Sequence, residues 1–197
     1  MNLSTHFSFE ELTLSDTAVR AGIDNTPPGQ LMPNLVRLAA GLELVRAALG
    51  NNPIHVTSGF RSARLNQMLG GSKHSMHTCG LAADILCPQF GTPLEVCEQI
   101  ARSGLAFDQV IHEFGRWCHV GFAEEGQERR NELLTICVFR LSGHSTWRQT
   151  LCRSALVSEP GRADLASQRE AAPAVPPRHC RHRKQTANSS ARRSSRR

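Results

Sequence analysis

Two stretches carry residues whose types and spacing can hold a metal and move a proton. The first is Ser75-Met76-His77-Thr78-Cys79-Gly80-Leu81-Ala82-Ala83-Asp84, which sets an imidazole and a carboxylate seven positions apart with a glycine between them. The second is His112-Glu113-Phe114-Gly115-Arg116-Trp117-Cys118-His119. Neutral imidazoles and ionised carboxylates are good zinc ligands, and three of them with one position left to water form the pattern of a catalytic site. His77, Asp84 and His119 are the candidate ligands. Glu113, six residues before His119, is the candidate general base. It would take a proton from water that the metal acidifies to a pKa of about 7, and pass it to the leaving group.

These residues must be brought together by particular elements. The interval from His77 to Asp84 is too long for neighbouring turns of one helix. It suits a loop that turns at Gly80 and feeds a strand, with one ligand on each side. His119 then comes from an adjacent strand. Alternation along that strand puts Trp117 and His119 on one face and Cys118 on the other. The three ligands can therefore converge on one face of a small sheet. The same alternation turns His112 away from the face of Glu113, which removes it from the ligand set. Upstream, Ser58-Gly59-Phe60-Arg61-Ser62 follows a short strand. The guanidinium of Arg61 can hold a carbonyl oxygen as it gains charge, or bind a carboxylate bidentately. Ser75 can hydrogen-bond a substrate backbone or fix its own loop. Asp108 can orient a ligand histidine from behind, or simply begin a strand.

The elements follow from pattern. Ser8-Phe9-Glu10-Glu11 reads as a capping box that starts a short helix. Asn25-Thr26-Pro27-Pro28 breaks the chain. From Gln30 the apolar positions Leu31, Leu35, Leu38, Leu42, Val45 and Leu49 recur at three and four, one face of a helix ending near Gly50 that covers one side of a sheet. Residues 54–58 and 80–86 read as strands, and Ser62 starts a short helix between them. Thr92-Pro93-Leu94-Glu95 is a helix start with cap, proline and glutamate in place. Residues 108–112 and 117–122 form two strands joined by a tight turn, and residues 133–139 read as a last strand.

Charge divides the chain. Residues 1–139 hold 10 Lys and Arg against 14 Asp and Glu, whereas residues 140–197 hold 13 against 3. The net charge of +6 thus belongs to the end segment alone, and specific nucleic-acid binding by the folded part is not expected. The expected organisation is a domain over 1–139 and a basic Arg-, Ser-, Ala- and Pro-rich tail over 140–197, too polar and charged to fold. Seven cysteines without Cys-x-x-Cys spacing read as reduced thiols rather than a disulfide framework. The opening residues lack a basic region followed by an apolar run, so a chain made in the cytoplasm without a secretory leader is expected. No apolar run is long enough for a membrane span.

Taken together, Ser75-x-His77-x-x-Gly80-x-Ala82-x-Asp84, then Glu113 and Trp117-x-His119, resembles the zinc D-Ala-D-Ala carboxypeptidase family of peptidoglycan peptidases. That group includes phage endolysins and D-Ala-D-Ala dipeptidases and shares its fold with hedgehog amino-terminal domains. The arginine segment around Arg61 is similar as well, and the opening helix from Phe7 to Leu12 resembles small phage and prophage members. The likeness covers roughly residues 5–138. It implies an α+β fold, a small antiparallel β-sheet flanked by helices with the zinc site on one face. It implies one Zn2+ ion bound by His77, Asp84 and His119, Glu113 as catalytic base, and Arg61 steadying substrate or transition state. Ser75, Arg61 and Trp117 are assigned to substrate binding. The implied reaction is hydrolysis of peptide bonds in peptidoglycan stem peptides, of carboxypeptidase or endopeptidase type, by a monomer that reaches the wall after release or phage-type delivery. Two other readings stay open: an idle member that uses the groove for binding, and a structural phage component whose metal only staples the fold. Cys118 and Thr78-Cys79 stand where many relatives carry apolar residues, with no ligand lost.

Overall fold

The computed structural model describes residues 1–140 and 147–153, with side chains described as far as residue 137. The element order is α1 (Phe9–Thr13), α2 (Asp16–Ala21), α3 (Met32–Ala48), β1 (His55–Ser58), α4 (Ala63–Met68), β2 (Ala82–Leu86), α5 (Pro93–Arg102), β3 (Gln109–Glu113), β4 (Trp117–Gly121), β5 (Glu132–Arg140) and β6 (Trp147–Arg153). Short 3-10 turns precede α3 and β2, at Gly29–Leu31 and Met76–Cys79. The fold is α+β, as the sequence implies.

Six strands form one sheet in the order β1-β2-β4-β3-β5-β6. All neighbours are antiparallel except β3 and β5, which run parallel. The crossover between those two passes through β4 and the segment holding Arg130. β6 lies past residue 139, the expected end of the folded domain, and pairs with β5 from Leu134↔Arg153 to Arg140↔Trp147. Residues 141–146 and 154–197, which include most of the expected basic tail, lie outside the described residues.

Strand alternation divides the sheet into two chemically different faces. On β2 and β4, Ala83, Ile85, Cys118 and Val120 point into the core, where they join Leu35, Leu38, Leu42, Val45 and Leu49 of the α3 segment and Val96 and Ile100 of α5. The predicted apolar stripe of α3 is therefore the face that covers the sheet. Truncating a fully buried leucine of that stripe, such as Leu38, is expected to cost about 2–5 kcal/mol. Close approach of α3 to the sheet depends on Gly41, where a Cβ would collide with the Phe122 ring.

Capping sets the helix boundaries. Ser8 accepts from the Glu11 N–H at 3.1 Å, and Ser62 accepts from Leu65 at 3.4 Å. At Thr92 both halves of the capping box are made. The first helix ends at Thr13, and Ser15 caps a separate helix, α2. No helix among the described residues is long and apolar enough to cross a membrane.

Asp108 holds the sheet's far corner. Its buried carboxylate takes the Arg130 backbone N–H at 2.8 Å and the guanidinium at 2.6 and 3.0 Å. It orients no ligand histidine; it fixes the segment that leads into β5. Burial works against its ionisation, but the hydrogen bonds and charge of Arg130 outweigh burial and hold the carboxyl below its ordinary value of 3.8. A depressed carboxyl contributes stability in full above its unfolded value, and that contribution fades as pH falls through the folded value. Asp108→Asn is expected to cost about 1–3 kcal/mol at neutral pH. The difference should shrink in urea titrations carried below the ordinary carboxyl value of 3.8, as first the unfolded and then the folded carboxylate takes up a proton. An unchanged difference across that range would remove the assignment.

Candidate metal centre

The second face of the sheet carries the polar residues. The register sets Asp84 of β2 opposite His119 of β4, and His119 opposite Ile111 of β3. His77 reaches the same point from the 3-10 turn Met76–Cys79, which closes at Gly80 with φ of 68°. That left-handed conformation is where glycine is preferred. Leu35 of α3 packs beneath it, 3.2 Å from where a Cβ would stand. The turn at Gly80 feeding a strand is thus the device that brings His77 and Asp84 together.

All three side chains are buried, at 2%, 4% and 6% exposure for His77, Asp84 and His119. His77 Nε2 lies 3.2 Å from Asp84 Oδ1 and 3.1 Å from His119 Nδ1. His119 Nδ1 lies 2.9 Å from the same Asp84 oxygen. The result is a triangle of one donor atom from each residue, able to hold a single ion. A tetrahedral zinc with bonds of about 2.0–2.1 Å places neighbouring ligand atoms about 3.3 Å apart. The triangle is slightly tighter than that, so the donor set fits zinc with little movement.

Protonation states suit a cation. His77 Nδ1 bonds the Gly59 carbonyl at 2.7 Å. A carbonyl accepts only, so Nδ1 carries the hydrogen and Nε2 is left with its lone pair facing the site. Burial keeps the His77 pKa below its ordinary value, although the charge of Asp84 opposes this. For Asp84, burial would raise the carboxyl, but the charges and hydrogen bonds of His77 and His119 prevail and hold it well below the usual range. The His77 imidazole and the Asp84 carboxylate therefore meet at neutral pH in the forms that bind a metal.

A cavity of about 690 Å³ opens over the triangle, and all seven residues singled out from the sequence line it: Arg61, Ser75, His77, Asp84, Glu113, Trp117 and His119. Glu113 and Trp117 face each other across the β3–β4 hairpin, and the indole N–H donates to Glu113 Oε2 at 3.2 Å. Phe114 and Gly115 both take positive φ in the turn, the mirror-image geometry that suits a hairpin. Burial and the nearby Asp84 charge push the Glu113 carboxyl above its ordinary value, against the pull of His119, Arg61 and Trp117. Ser75 precedes the 3-10 turn without capping it through its side chain, so its hydroxyl is not consumed there. His112 lies outside the cavity wall, as alternation predicts.

Arg61 is hydrogen-bonded to the triangle and to the end of β1. Its Nη2 donates to Asp84 Oδ2, and its Nε donates to Ser58 Oγ at 2.9 Å. Guanidinium has five N–H donors, so Nη1 remains for a ligand in the cavity. Two partners escaped sequence reasoning. One is the Gly59 carbonyl, where a Cβ would collide with the Leu12 carbonyl. The other is Asn25, whose amide donates to Phe60 O at 3.1 Å and to Thr13 O at 2.9 Å and accepts from the Ser62 N–H at 2.7 Å. It ties down the backbone on both sides of Arg61. An Asn ahead of two prolines signals a turn, and that signal conceals the longer reach.

The profile of Peptidase M15 matches residues 5–121, a span that includes every residue of the triangle together with Arg61 and Glu113. A relative, the zinc D-Ala-D-Ala carboxypeptidase of Streptomyces albus G, is 46% identical over 44 residues. That stretch is 22% of this chain and 17% of the relative, so the likeness reaches only a small part of that protein's length. The match over more than half of the chain, on a fold that converges two histidines and an aspartate, shows that the chain belongs to the peptidase M15 family.

Proposed function

We propose that the chain is a zinc peptidase that hydrolyses peptide bonds in bacterial peptidoglycan stem peptides. The observation that carries this reading is the buried His77–Asp84–His119 triangle with Glu113 in the wall of the same cavity. Family membership and the name of the Streptomyces relative support it. His77 Nε2, Asp84 Oδ1 and His119 Nδ1 would hold the ion. Zinc supplies Lewis acidity there, polarising a carbonyl oxygen and bringing the pKa of water to about 7.

The chain's own groups do the rest. Glu113 takes a proton from the attacking water and delivers it to the amine nitrogen as the C–N bond breaks. The water oxygen joins the carbonyl carbon, so one carboxylate and one amine leave. Trp117 holds one Glu113 oxygen in place, which aims the other into the cavity. Arg61 steadies Asp84 and offers its remaining donors to substrate oxygen as negative charge grows there. Ser75 supplies a hydroxyl for the peptide backbone. The decisive experiment is hydrolysis of purified muropeptides by protein of measured zinc content. One equivalent of zinc with no cleavage of any cell-wall peptide would overturn the reading in favour of an idle binding module or a structural part.

Asn25 gives this arrangement a remote test. Asn25→Ala leaves the backbone on both sides of Arg61 untied, with a cost of about 1–3 kcal/mol in stability. Misplacing a catalytic group by about 1 Å can cost a hundredfold in rate, so kcat/KM should fall roughly ten- to a hundredfold. Steady-state kinetics on zinc-loaded protein, at a temperature where the variant is folded, checks this; full activity would show that Arg61 does not need its anchor.

A further inference from the structure

The turn that follows Glu113 is built on an unfavourable residue. Among the described residues three that are not glycine take a positive φ: Asn51 at 61°, Phe114 at 55° and Asn131 at 50°. Asparagine tolerates the left-handed region, whereas a bulky residue rarely enters it, because its Cβ crowds the next carbonyl. Gly115 follows at 68°, and hairpin turns with two successive positive φ angles favour Asn or Asp before the glycine. The backbone therefore selects against phenylalanine at this position. Nor does closing the turn require the ring. The Arg116 N–H donates to the Glu113 carbonyl at 2.9 Å, and the Phe114 N–H donates to the Ile136 carbonyl at 2.9 Å. Any residue but proline makes the same bonds.

What the ring does is meet Trp117. The two ring centroids lie 5.7 Å apart with their planes at 68°, the edge-to-face arrangement that aromatic pairs prefer. The indole N–H then donates to Glu113 Oε2 at 3.2 Å. Phe114, Trp117 and Glu113 all line the cavity over the metal triangle. A chain of two contacts thus runs from the disfavoured residue to the candidate base. Strained positions cluster at functional sites, where the surrounding structure holds them.

We propose that Phe114 is a positioning residue: its ring fixes the Trp117 indole, and the indole fixes the Glu113 carboxylate at the angle that proton transfer needs. The proposal rests on the peptidase reading above and deepens it. A carboxylate free to swing spends less time within reach of the attacking water, so the loss falls on turnover rather than on substrate affinity.

The test uses full-length zinc-loaded protein and purified muropeptides. Phe114→Asn relaxes the backbone and removes the ring, whereas Phe114→Tyr keeps the ring. The asparagine variant should hold one equivalent of zinc and melt within about 3 °C of the parent, because the relaxed turn offsets the lost ring contact. Its kcat should fall about ten- to thirtyfold while KM moves less than about threefold. Phe114→Tyr should stay within about threefold of the parent in both. Added to Glu113→Gln, the asparagine change should lower kcat by less than about twofold more, since no base is left to place. Trp117 emission gives a readout apart from turnover, with Trp147→Phe in every protein so that a single tryptophan remains. Acrylamide should quench it about twofold more strongly in the asparagine variant, whose indole is freed to open towards solvent, and equally in parent and Phe114→Tyr. A kcat for Phe114→Asn within about threefold of the parent would overturn the positioning role and leave the peptidase reading standing. So would a loss that Phe114→Tyr shares, a loss undiminished in the Glu113→Gln background, a loss confined to KM, or unchanged quenching. No hydrolysis of any cell-wall peptide by the zinc-loaded parent would overturn both.

Discussion

Glu113→Gln is expected to lower kcat on a stem peptide by about a hundredfold to ten-thousandfold, the range for loss of a positioned general base. Zinc content should stay at one equivalent, because Glu113 is not part of the donor triangle. Folding should survive as well. The amide has nearly the same shape as the carboxylate, and its oxygen can still accept from the Trp117 indole N–H. The pH profile carries the sharper signature. A base works only when ionised, so the rate falls as pH drops through its pKa. Burial and the Asp84 charge raise the Glu113 carboxyl above 4.5, which moves the acid limb of kcat/KM upward, against the pull of a bound cation. The residual rate of the glutamine variant should lack that limb. A variant within about tenfold of the parent would mean that another group takes the proton. Loss of zinc together with activity would make Glu113 a ligand.

The site was more legible than the sheet that carries it. Metal ligands announce themselves by residue type, and period-two alternation then sorts them by face: Trp117 and His119 in the cavity, Cys118 in the core. Side chains whose job is to bond backbone give no such signal. Asn25 looks like any turn residue, yet its contacts reach residues 12 and 35 positions away. Gly59 matters through a carbonyl, which every residue has. Asp108 was read as a support for a ligand histidine or as the start of a strand, not as the partner of Arg130, since the pair spans 22 positions and depends on the path into β5. Edge strand β6 was missed for a related reason. Its pairing with β5 is made by backbone groups, and an edge strand requires little of its own side chains. The parallel β3–β5 pair was hidden too, because strand direction is a property of the connection rather than of either strand's pattern.

Removing zinc is expected to lower the melting temperature by roughly 10 °C, and variants of the triangle should separate what the metal contributes from what the polar cluster contributes alone. A ligand present at about a thousand times its Kd stabilises the native state by about 4 kcal/mol, and each kcal/mol moves the midpoint by about 2–4 °C at this chain length. Chelation removes that increment from the parent. Asp84→Ala and His119→Ala should both be insensitive to chelator, having lost the site already. Without metal the two should differ from each other. Asp84 is the single negative group holding Arg61, His77 and His119 together in a buried place. Deleting it strands the Arg61 charge, which is only 16% exposed, and removing one partner of a buried pair costs about 3–5 kcal/mol. His119→Ala leaves the Arg61–Asp84 pair intact and should cost less, about 1–3 kcal/mol for one lost partner of a hydrogen-bonded group. Calorimetric scans of the three proteins with zinc and with chelator decide the matter. Equal midpoints for the two variants in chelator would mean that Asp84 serves the metal alone. A lower midpoint for Asp84→Ala would mean that the carboxylate organises the site before any metal arrives, so that zinc enters a triangle already drawn to its size.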